Sequence, residues 1–304
     1  MSCAGPVAVL GATGFVGAAV VDALQYRGIP VKKVRSPRLT DDASVDAAVR
    51  SLEDQLADTC AVICCAGVAE ATYGHASAFH GANVLLPGAL AGAARAVGVR
   101  LVHISSAAVL GDTPMLDNRK ATSPFSEYSK SKAAGEHAVL EIGGNVVVYR
   151  PPGVHGRDRS VTRAIARLAR SPLSSVAAPG GRPSPNVLLQ DVADAIAYLA
   201  LCPERPPPIV HHPPSAITTD ELLRYLGNRD PLRVPTVVAR ATVKLLGSAQ
   251  RLIPSMGGHV RRLEVLWFGQ AQAPSWLTEN GWKPVTGPED WARLGRHLRN
   301  GDDE

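Results

Sequence analysis

The stretch Val7-Ala8-Val9-Leu10-Gly11-Ala12-Thr13-Gly14-Phe15-Val16-Gly17 limits what this chain can fold into more than any other. Four apolar residues run into three glycines spaced three apart, and a helical apolar pattern follows at Phe15, Val16, Ala19, Val20, Ala23 and Leu24. That order predicts a buried strand, a tight turn and a helix. Gly11 permits the sharp turn, Gly14 lets backbone approach a diphosphate, and Gly17 lets the helix pack close to the strand. The first helical N–H groups then meet the diphosphate at the positive end of the helix dipole. Thr13, Phe15 and Val16 complete this dinucleotide-binding turn.

With 304 residues the chain can bury a full core, as one large domain or two unequal ones. No run approaches the roughly 18 apolar residues of a membrane span. Val7–Leu10 is too short for the apolar region of a secretory signal, and no basic region precedes it. The five cysteines are scattered, with Cys64 and Cys65 inside an apolar run. They read as reduced, buried thiols of a cytoplasmic protein, forming neither a disulfide framework nor a metal site. The net charge of +5 is spread along the chain and suits an anionic small ligand. Basic runs with interleaved aromatics, as nucleic-acid binding requires, are absent.

The second strand, Pro30–Val34, ends in Arg35-Ser36-Pro37-Arg38. An NAD site ordinarily has an acid here to hold the adenosine ribose hydroxyls. Arg35 and Arg38 with the Ser36 hydroxyl suit a 2′-phosphate instead, because guanidinium forks match phosphate oxygens. NADP(H) is therefore the expected cofactor, with NAD(H) as the alternative. Only Leu39–Ser44 precede a helix over Val45–Ala57, which leaves no room for another helix and a third strand. That corner of a doubly wound parallel sheet is expected to be abbreviated. Cys60–Gly67 reads as the fourth strand, with Ala66 and Gly67 small where a cofactor ribose approaches. A helix from about Ser77 to Val97 carries Asn83, and Leu101–Ser106 is a buried strand ending in two hydroxyls. In open α/β sheets that carboxyl edge is where ligands bind.

Tyr128 and Lys132 stand four apart, so on a helix they share a face. An ammonium there favours the phenolate and lowers the tyrosine from about 10 toward the working pH. Such a tyrosine can exchange a proton with a carbinol oxygen.

Taken with Gly11–Gly17, Asn83, Ser105-Ser106 and Arg150-Pro151-Pro152-Gly153-Val154-His155-Gly156, this pair gives the chain a family likeness. It resembles the extended short-chain dehydrogenase/reductases of the NAD-dependent epimerase/dehydratase type over its first half. The resemblance implies an α/β Rossmann fold with a smaller C-terminal substrate lobe. Residues 1–156 and 186–215 would form the dinucleotide-binding domain, and residues 157–185 and 216–304 the lobe. It implies that Ser106, rather than Ser105, orients the substrate oxygen and that Tyr128 is the acid/base. Lys132 would both tune Tyr128 and hold the nicotinamide ribose, and backbone between Pro151 and Val154 would face the carboxamide. It further implies a homodimer through the Asn83 and Tyr128 helices. Small residues there (Gly88, Ala89, Gly92, Ala93, Ala133, Ala134) are compatible with close packing.

Three reactions share such a scaffold. Family dehydratases follow the active-site hydroxyl with an Asp-Glu pair, whereas Ala107-Ala108 follows Ser106 and cannot move protons. Epimerase-reductases of the GDP-fucose synthase kind carry a cysteine there, which is also missing. C4-epimerases keep NAD trapped and usually carry an acid at the end of the second strand, unlike Arg35. The expectation is an NADP(H)-dependent ketoreductase acting on a keto sugar, nucleotide-linked, in a biosynthetic pathway. The alternatives are a nucleotide-sugar C4-epimerase with tightly bound NAD and a non-catalytic NADP-binding redox sensor. Gly153 stands where nucleotide-sugar members have an asparagine, and Ser184 where they have an arginine, so the substrate's carrier is less well marked. His80, Met115, His155 and Arg163 are candidates for lining the substrate pocket, and His103 reads as a satisfied core histidine. In the C-terminal part Thr219 is expected to cap a helix from Asp220 to Leu226. The tryptophans read as core, and Arg224, Arg233, Arg240, Lys244, Arg251, Arg261 and Arg262 as a solvated face.

Overall fold

The computed structural model describes residues 5–68, 79–249 and 257–300. Strand β1 (Val7–Leu10) is buried on both faces, as a strand of four apolar residues must be. It lies between β2 (Val31–Val34) and β3 (Ala61–Cys64), parallel to both. Helix α1 (Phe15–Tyr26) follows the glycine turn and buries Val20, Val21 and Leu24 against one face of the sheet. No strand intervenes between β2 and α2 (Val45–Leu56), so β2 is the sheet edge and the corner is abbreviated as expected. Helix α2 buries Ala48, Leu52 and Leu56 on the opposite face. A π turn over Gly81–Leu85 carries Asn83 into α3 (Leu86–Val97). The expected helix start at Ser77 lies outside the described residues.

The chain continues through β4 (Arg100–Ile104), β5 (Met115–Leu116), α4 (Glu127–Ile142), β6 (Val146–Arg150) and β7 (Gly153–His155). Next come α5 (Ser160–Arg170), β8 (Ser175–Ala177), β9 (Asn186–Leu188), α6 (Leu189–Leu201) and β10 (Ile209–His211). The main sheet is parallel with the order β10-β6-β4-β3-β1-β2. After β2 the chain crosses to the other side of β1, which makes the carboxyl ends of β1 and β3 the topological switch point. A crevice there is the ligand site of such sheets.

The C-terminal elements are α7 (Thr219–Gly227), β11 (Leu232–Val234), α8 (Thr236–Ala249), α9 (Gly257–Phe268), β12 (Ala271–Gln272), the single turn α10 (Trp276–Glu279) and α11 (Pro288–Asn300). With α5 and β8 they enclose a separate core of Ala166, Val176, Leu222, Leu226, Trp291 and Leu294. The cap of α7 is Thr218, one residue earlier than expected. Its hydroxyl accepts from the Glu221 N–H while the Glu221 carboxylate accepts from the Thr218 N–H, a reciprocal box that Thr219 is placed one residue too late to make.

Trp282 and Trp291 are core residues as expected. Trp282 donates from Nε1 to the Asp194 carboxylate at 2.9 Å, tying the C-terminal segment to α6. Within the chain the small residues of α3 also take part in packing: a Cβ at Gly88 would lie 3.7 Å from Ala138, and one at Gly92 would lie 3.5 Å from Val49. Two expectations need correcting. Arg261 is not on a solvated face; it pairs with Asp112 and Glu264 and its side chain is 15% exposed. Cys64, Cys65 and Cys202 are free thiols, but Cys60 is disulfide-bonded. Burial pushes the Cys64 thiol up to about 11, and Cys65 is raised as well, so neither is a nucleophile near neutral pH.

Candidate functional site

The glycine turn can be tested position by position for what each missing side chain permits. Gly11 has a left-handed φ of +80°, and a Cβ there would stand 2.6 Å from the Ala66 nitrogen. A Cβ on Gly17 would meet the Gly11 carbonyl oxygen at 2.0 Å. Both glycines are therefore required by the chain's own packing. Gly14 differs: a Cβ there comes no nearer than 3.4 Å to another atom of the chain, so the packing does not demand it. Gly14 is the N-cap of α1 and no side chain caps that helix, which leaves its N-terminal donors directed outward. An open glycine before an uncapped helix fits a diphosphate.

Opposite this turn, Gly67, Asn83 and Lys132 converge beyond the end of β3. A Cβ on Gly67 would lie 2.8 Å from Asn83 Oδ1 and 3.8 Å from Lys132 Nζ. Asn83 is fully buried and holds the segment after β3 by two bonds: its Oδ1 accepts from the Val68 N–H at 2.9 Å, and its Nδ2 donates to the Val68 carbonyl at 3.0 Å. Nδ2 also donates to Ser131 Oγ at 2.9 Å, which locks the π turn to α4.

Helix α4 begins with a box in which Ser126 and Ser129 cap one another, fixing the first turn that carries Tyr128. Tyr128 is half-buried, and the Ser106 side chain at the end of β4 acts on its phenol, favouring the ionised form. The Ser106 Oγ accepts from the Ala108 N–H at 3.2 Å and so keeps a fixed direction. Lys132 is buried one turn further on, and its Nζ donates to the Ile104 carbonyl at 2.6 Å. The electrostatics differ from the expected pairing. Burial holds the Tyr128 phenol above its ordinary value, opposed by the neighbouring Ser106 side chain and by the charge of Arg159. Burial also lowers the Lys132 ammonium, against the pull of Cys64, Glu136 and Cys65.

Ser105 faces a different network. Its hydroxyl donates to Glu136 of α4, whose carboxylate is held by Arg150 through Nε at 2.9 Å and Nη2 at 2.6 Å. Arg150 Nη1 donates to the Arg119 carbonyl at 2.7 Å, securing the loop before α4. Glu136, Arg150 and Arg159 were not among the sequence candidates. Only the Arg150 position carried a signal, as the first residue of the stretch that ends at Gly156.

The phosphate-binding candidates Arg35, Ser36 and Arg38 are exposed at the end of β2. Gln55 of α2 accepts from the Arg35 N–H at 2.8 Å and steadies that end. Pro151 is buried and its carbonyl accepts from Ala107; Val154 is buried in β7, which pairs with β9. Met115 is 41% exposed in β5, and Arg163 is exposed on α5. His155 is not a pocket residue. It is 1% exposed, hydrogen-bonded to Thr162 and Asn186, and 5.5 Å from the Trp291 ring. His103 is a core residue, but neither of its ring nitrogens has a partner among the described residues.

Burial lowers His155 to about 4 and His212 to about 3, against an ordinary 6.5. The unfolded chain therefore takes up protons between pH 6.5 and about 4 that the folded chain refuses, so stability is full above 6.5 and is lost as the pH falls through that window. Over the full window the shifts amount to about 3 kcal/mol for His155 and about 5 kcal/mol for His212. Urea midpoints at pH 7 and pH 5 check this, with His155→Gln expected to flatten the dependence; an unchanged slope in that variant would refute it.

Comparison with known proteins sharpens the geometry. The sequence pattern of the RmlD substrate binding domain matches residues 6–218. The chain is 33% identical over 210 residues to a ceramide reductase of Caulobacter vibrioides, covering 65% of this chain and 61% of that protein. It is 29% identical over 252 residues to a dTDP-4-dehydrorhamnose reductase of Streptomyces griseus, covering 78% and 81%. The match thus spans less than two thirds of the ceramide reductase's own length. The fold is that of a dTDP-4-dehydrorhamnose reductase from Bacillus anthracis in complex with NADP, with a TM-score of 0.65 at 18% identity over 96% of this chain and 99% of that one.

Proposed function

We propose, since the chain belongs to the RmlD substrate binding domain family, that it is an NADPH-dependent ketoreductase acting on a nucleotide-linked keto sugar. The observation that carries this reading is the placing of Tyr128 and Lys132 four residues apart on α4 against the end of β4, where the Lys132 Nζ donates to the Ile104 carbonyl and the Ser106 side chain acts on the Tyr128 phenol. Lys132 also stands beside Gly67 and Asn83, beyond the end of β3. Gly11, Thr13, Gly14, Phe15, Val16 and Gly17 would hold the diphosphate, Ala66, Gly67 and Lys132 the nicotinamide ribose, and backbone from Pro151 to Val154 the carboxamide. Bound there, NADPH supplies a hydride to the carbonyl carbon. Ser106 donates a hydrogen bond to the carbonyl oxygen, and Tyr128 gives that oxygen its phenolic proton. A phenol held protonated by burial is in the right state for this direction.

The sugar substrate is supported by the dTDP-4-dehydrorhamnose reductase relatives. A second reading, a ketone on a long apolar molecule, has its own support. The ceramide reductase relative is named for a lipid, and α8 exposes Val237 (80%), Val238 (53%) and Leu245 (71%). Stopped-flow NADPH oxidation with dTDP-4-keto-6-deoxy sugars and with keto-sphingolipids in detergent tests both. Oxidation with the sugar alone supports the first reading, and oxidation with the lipid alone replaces it with the second.

Arg35 and Arg38 set the cofactor preference in this proposal. Charge-assisted hydrogen bonds to a phosphate are worth about 1.5–3 kcal/mol, so Arg35→Ala with Arg38→Ala is expected to lower the NADPH-over-NADH preference by roughly 10–100-fold. Fluorescence titration of both cofactors reads it, and an unchanged ratio would remove these arginines from the site. The proposal keeps a cytoplasmic homodimer with residues 1–156 and 186–215 as the dinucleotide-binding domain and 157–185 with 216–304 as the lobe. Lys130, Ala134 and His137 on the exposed side of α4 remain available for the dimer contact. Light scattering at micromolar concentration checks the mass.

A further inference from the structure

Arg159 is a cation that the packing of the chain does not account for. It ends the loop after β7 and is the N-cap residue of α5, where its side chain caps nothing. Its guanidinium carbon lies 5.1 Å from the centre of the Phe15 ring, over the first residue of α1. Phe15 in turn fills the space beside Gly156, where a Cβ would come within 3.0 Å of the ring. The loop and the dinucleotide turn are therefore packed together at this point, although about 140 residues of chain separate them. The Arg159 Nε is buried and has no hydrogen-bond partner among the described residues. Arg150, which is fully buried, has by contrast every guanidinium nitrogen donating to an acceptor. A buried N–H without an acceptor is costly, and a contact with the face of a phenyl ring does not supply one.

We infer that Arg159 binds the cofactor diphosphate, on its nicotinamide-side phosphate, closing the dinucleotide turn from the side opposite Gly14. The inference rests on the proposed cofactor. The position follows from two neighbours: Phe15 stands next to Gly14 at the helix terminus, and the Arg159 charge is felt at Tyr128. An arginine between these two lies on the path from the diphosphate turn to the reacting oxygen. A planar fork meets two phosphate oxygens at once, and the contact with Phe15 keeps that fork beside the dinucleotide turn. The phosphate accepts the hydrogen bonds that the chain does not. Since Arg159 also sits at the N-terminus of α5, the dipole of that helix adds to the same field.

Two nucleotides separate the possibilities. NADPH carries the whole diphosphate, whereas adenosine 2′,5′-bisphosphate carries the 2′-phosphate and a single 5′-phosphate. Arg159→Gln is expected to weaken NADPH binding by about 10–100-fold, the worth of a charge-assisted contact to phosphate, and to change bisphosphate binding less than about 3-fold. Arg159→Lys keeps charge and stem, which protects the fold, and is expected to lie between Arg159→Gln and the wild type. Kd values from fluorescence titration, with thermal midpoints measured beside them, decide the matter. Equal weakening of both nucleotides would show a general distortion and overturn the inference, as would a lowered midpoint with an unchanged NADPH Kd. Unchanged NADPH binding with a raised substrate KM would assign Arg159 to the substrate instead. If the wild-type protein bound no NADPH, the functional proposal would fall as well; if it binds and Arg159→Gln binds equally, only this inference fails.

Discussion

Tyr128→Phe abolishes most turnover, by about 10²–10⁴-fold, and leaves NADPH affinity within about 3-fold of the wild type, the range expected when a general acid is removed and the binding surface is kept. The ring stays and the proton goes. In the wild type the reacting oxygen receives a hydrogen bond from Ser106 and a proton from Tyr128; in the variant only the serine remains. Burial holds the phenol above its ordinary value, and the nearby Ser106 side chain and Arg159 charge only partly offset this. Tyr128 therefore stays protonated across neutral pH. Reduction is expected to be flat across neutral pH and to fall only on the alkaline side, above the ordinary phenol range. The phenylalanine variant loses that alkaline limb along with its rate. Single-turnover NADPH oxidation across pH reads both effects. Retention of more than a tenth of the wild-type rate would remove Tyr128 from proton transfer. A regulator that only senses NADP would show no phenotype in this variant, so the same experiment separates the sensor alternative from the enzyme.

What could be read from the sequence, and what could not, divides by the range of the interaction. The turn at Gly11, Gly14 and Gly17 is legible because its strand, glycines and helix are consecutive, and each glycine answers to a local steric demand. The spacing of Tyr128 and Lys132 is likewise local, and α4 places them one turn apart. Their surroundings were not legible: the lysine donates one of its three N–H groups to the Ile104 carbonyl at the end of β4, and a charge that acts on Tyr128 comes from Arg159 on another element. His155 misleads for a related reason. A histidine next to a ligand-facing loop suggests a pocket, yet Trp291, from α11, covers it. The missing third strand was legible as a shortage of residues. The Gln55 contact that steadies the shortened corner was not, because it joins residues 20 apart on different elements. The Thr218 cap shows the smallest error of this kind, since two adjacent threonines offer the same hydroxyl and only the position of Glu221 chooses between them.

The same distinction sets the second large effect. Glu136→Gln is expected to destabilise the fold by about 3–5 kcal/mol, a large share of the roughly 5–15 kcal/mol that holds a domain together. Glu136 and Arg150 are 3% and 0% exposed in their side chains, so removing the carboxylate's charge strands a guanidinium away from water. The glutamine also places an amide donor against guanidinium donors, because one of the two carboxylate oxygens becomes N–H₂. The loss spreads through named contacts. Ser105 donates to this carboxylate, and Arg150 holds the Arg119 carbonyl of the loop leading to α4. Three segments that bracket Ser106 and Tyr128 are therefore tied to one buried pair. Replacing both partners, Glu136→Leu with Arg150→Met, is expected to recover much of the stability, since an apolar pair has no desolvation cost to offset. It is not expected to recover activity, because the loop and the end of β4 lose the anchor that fixes Ser106 relative to Tyr128. Urea unfolding monitored by tryptophan fluorescence measures the first effect, and a shift of under 1 kcal/mol in Glu136→Gln would refute it. If the double variant folded firmly and turned over at the wild-type rate, the pair would be a stability element alone, and the alignment of the two hydroxyls would have to come from the Ser126–Ser129 cap of α4.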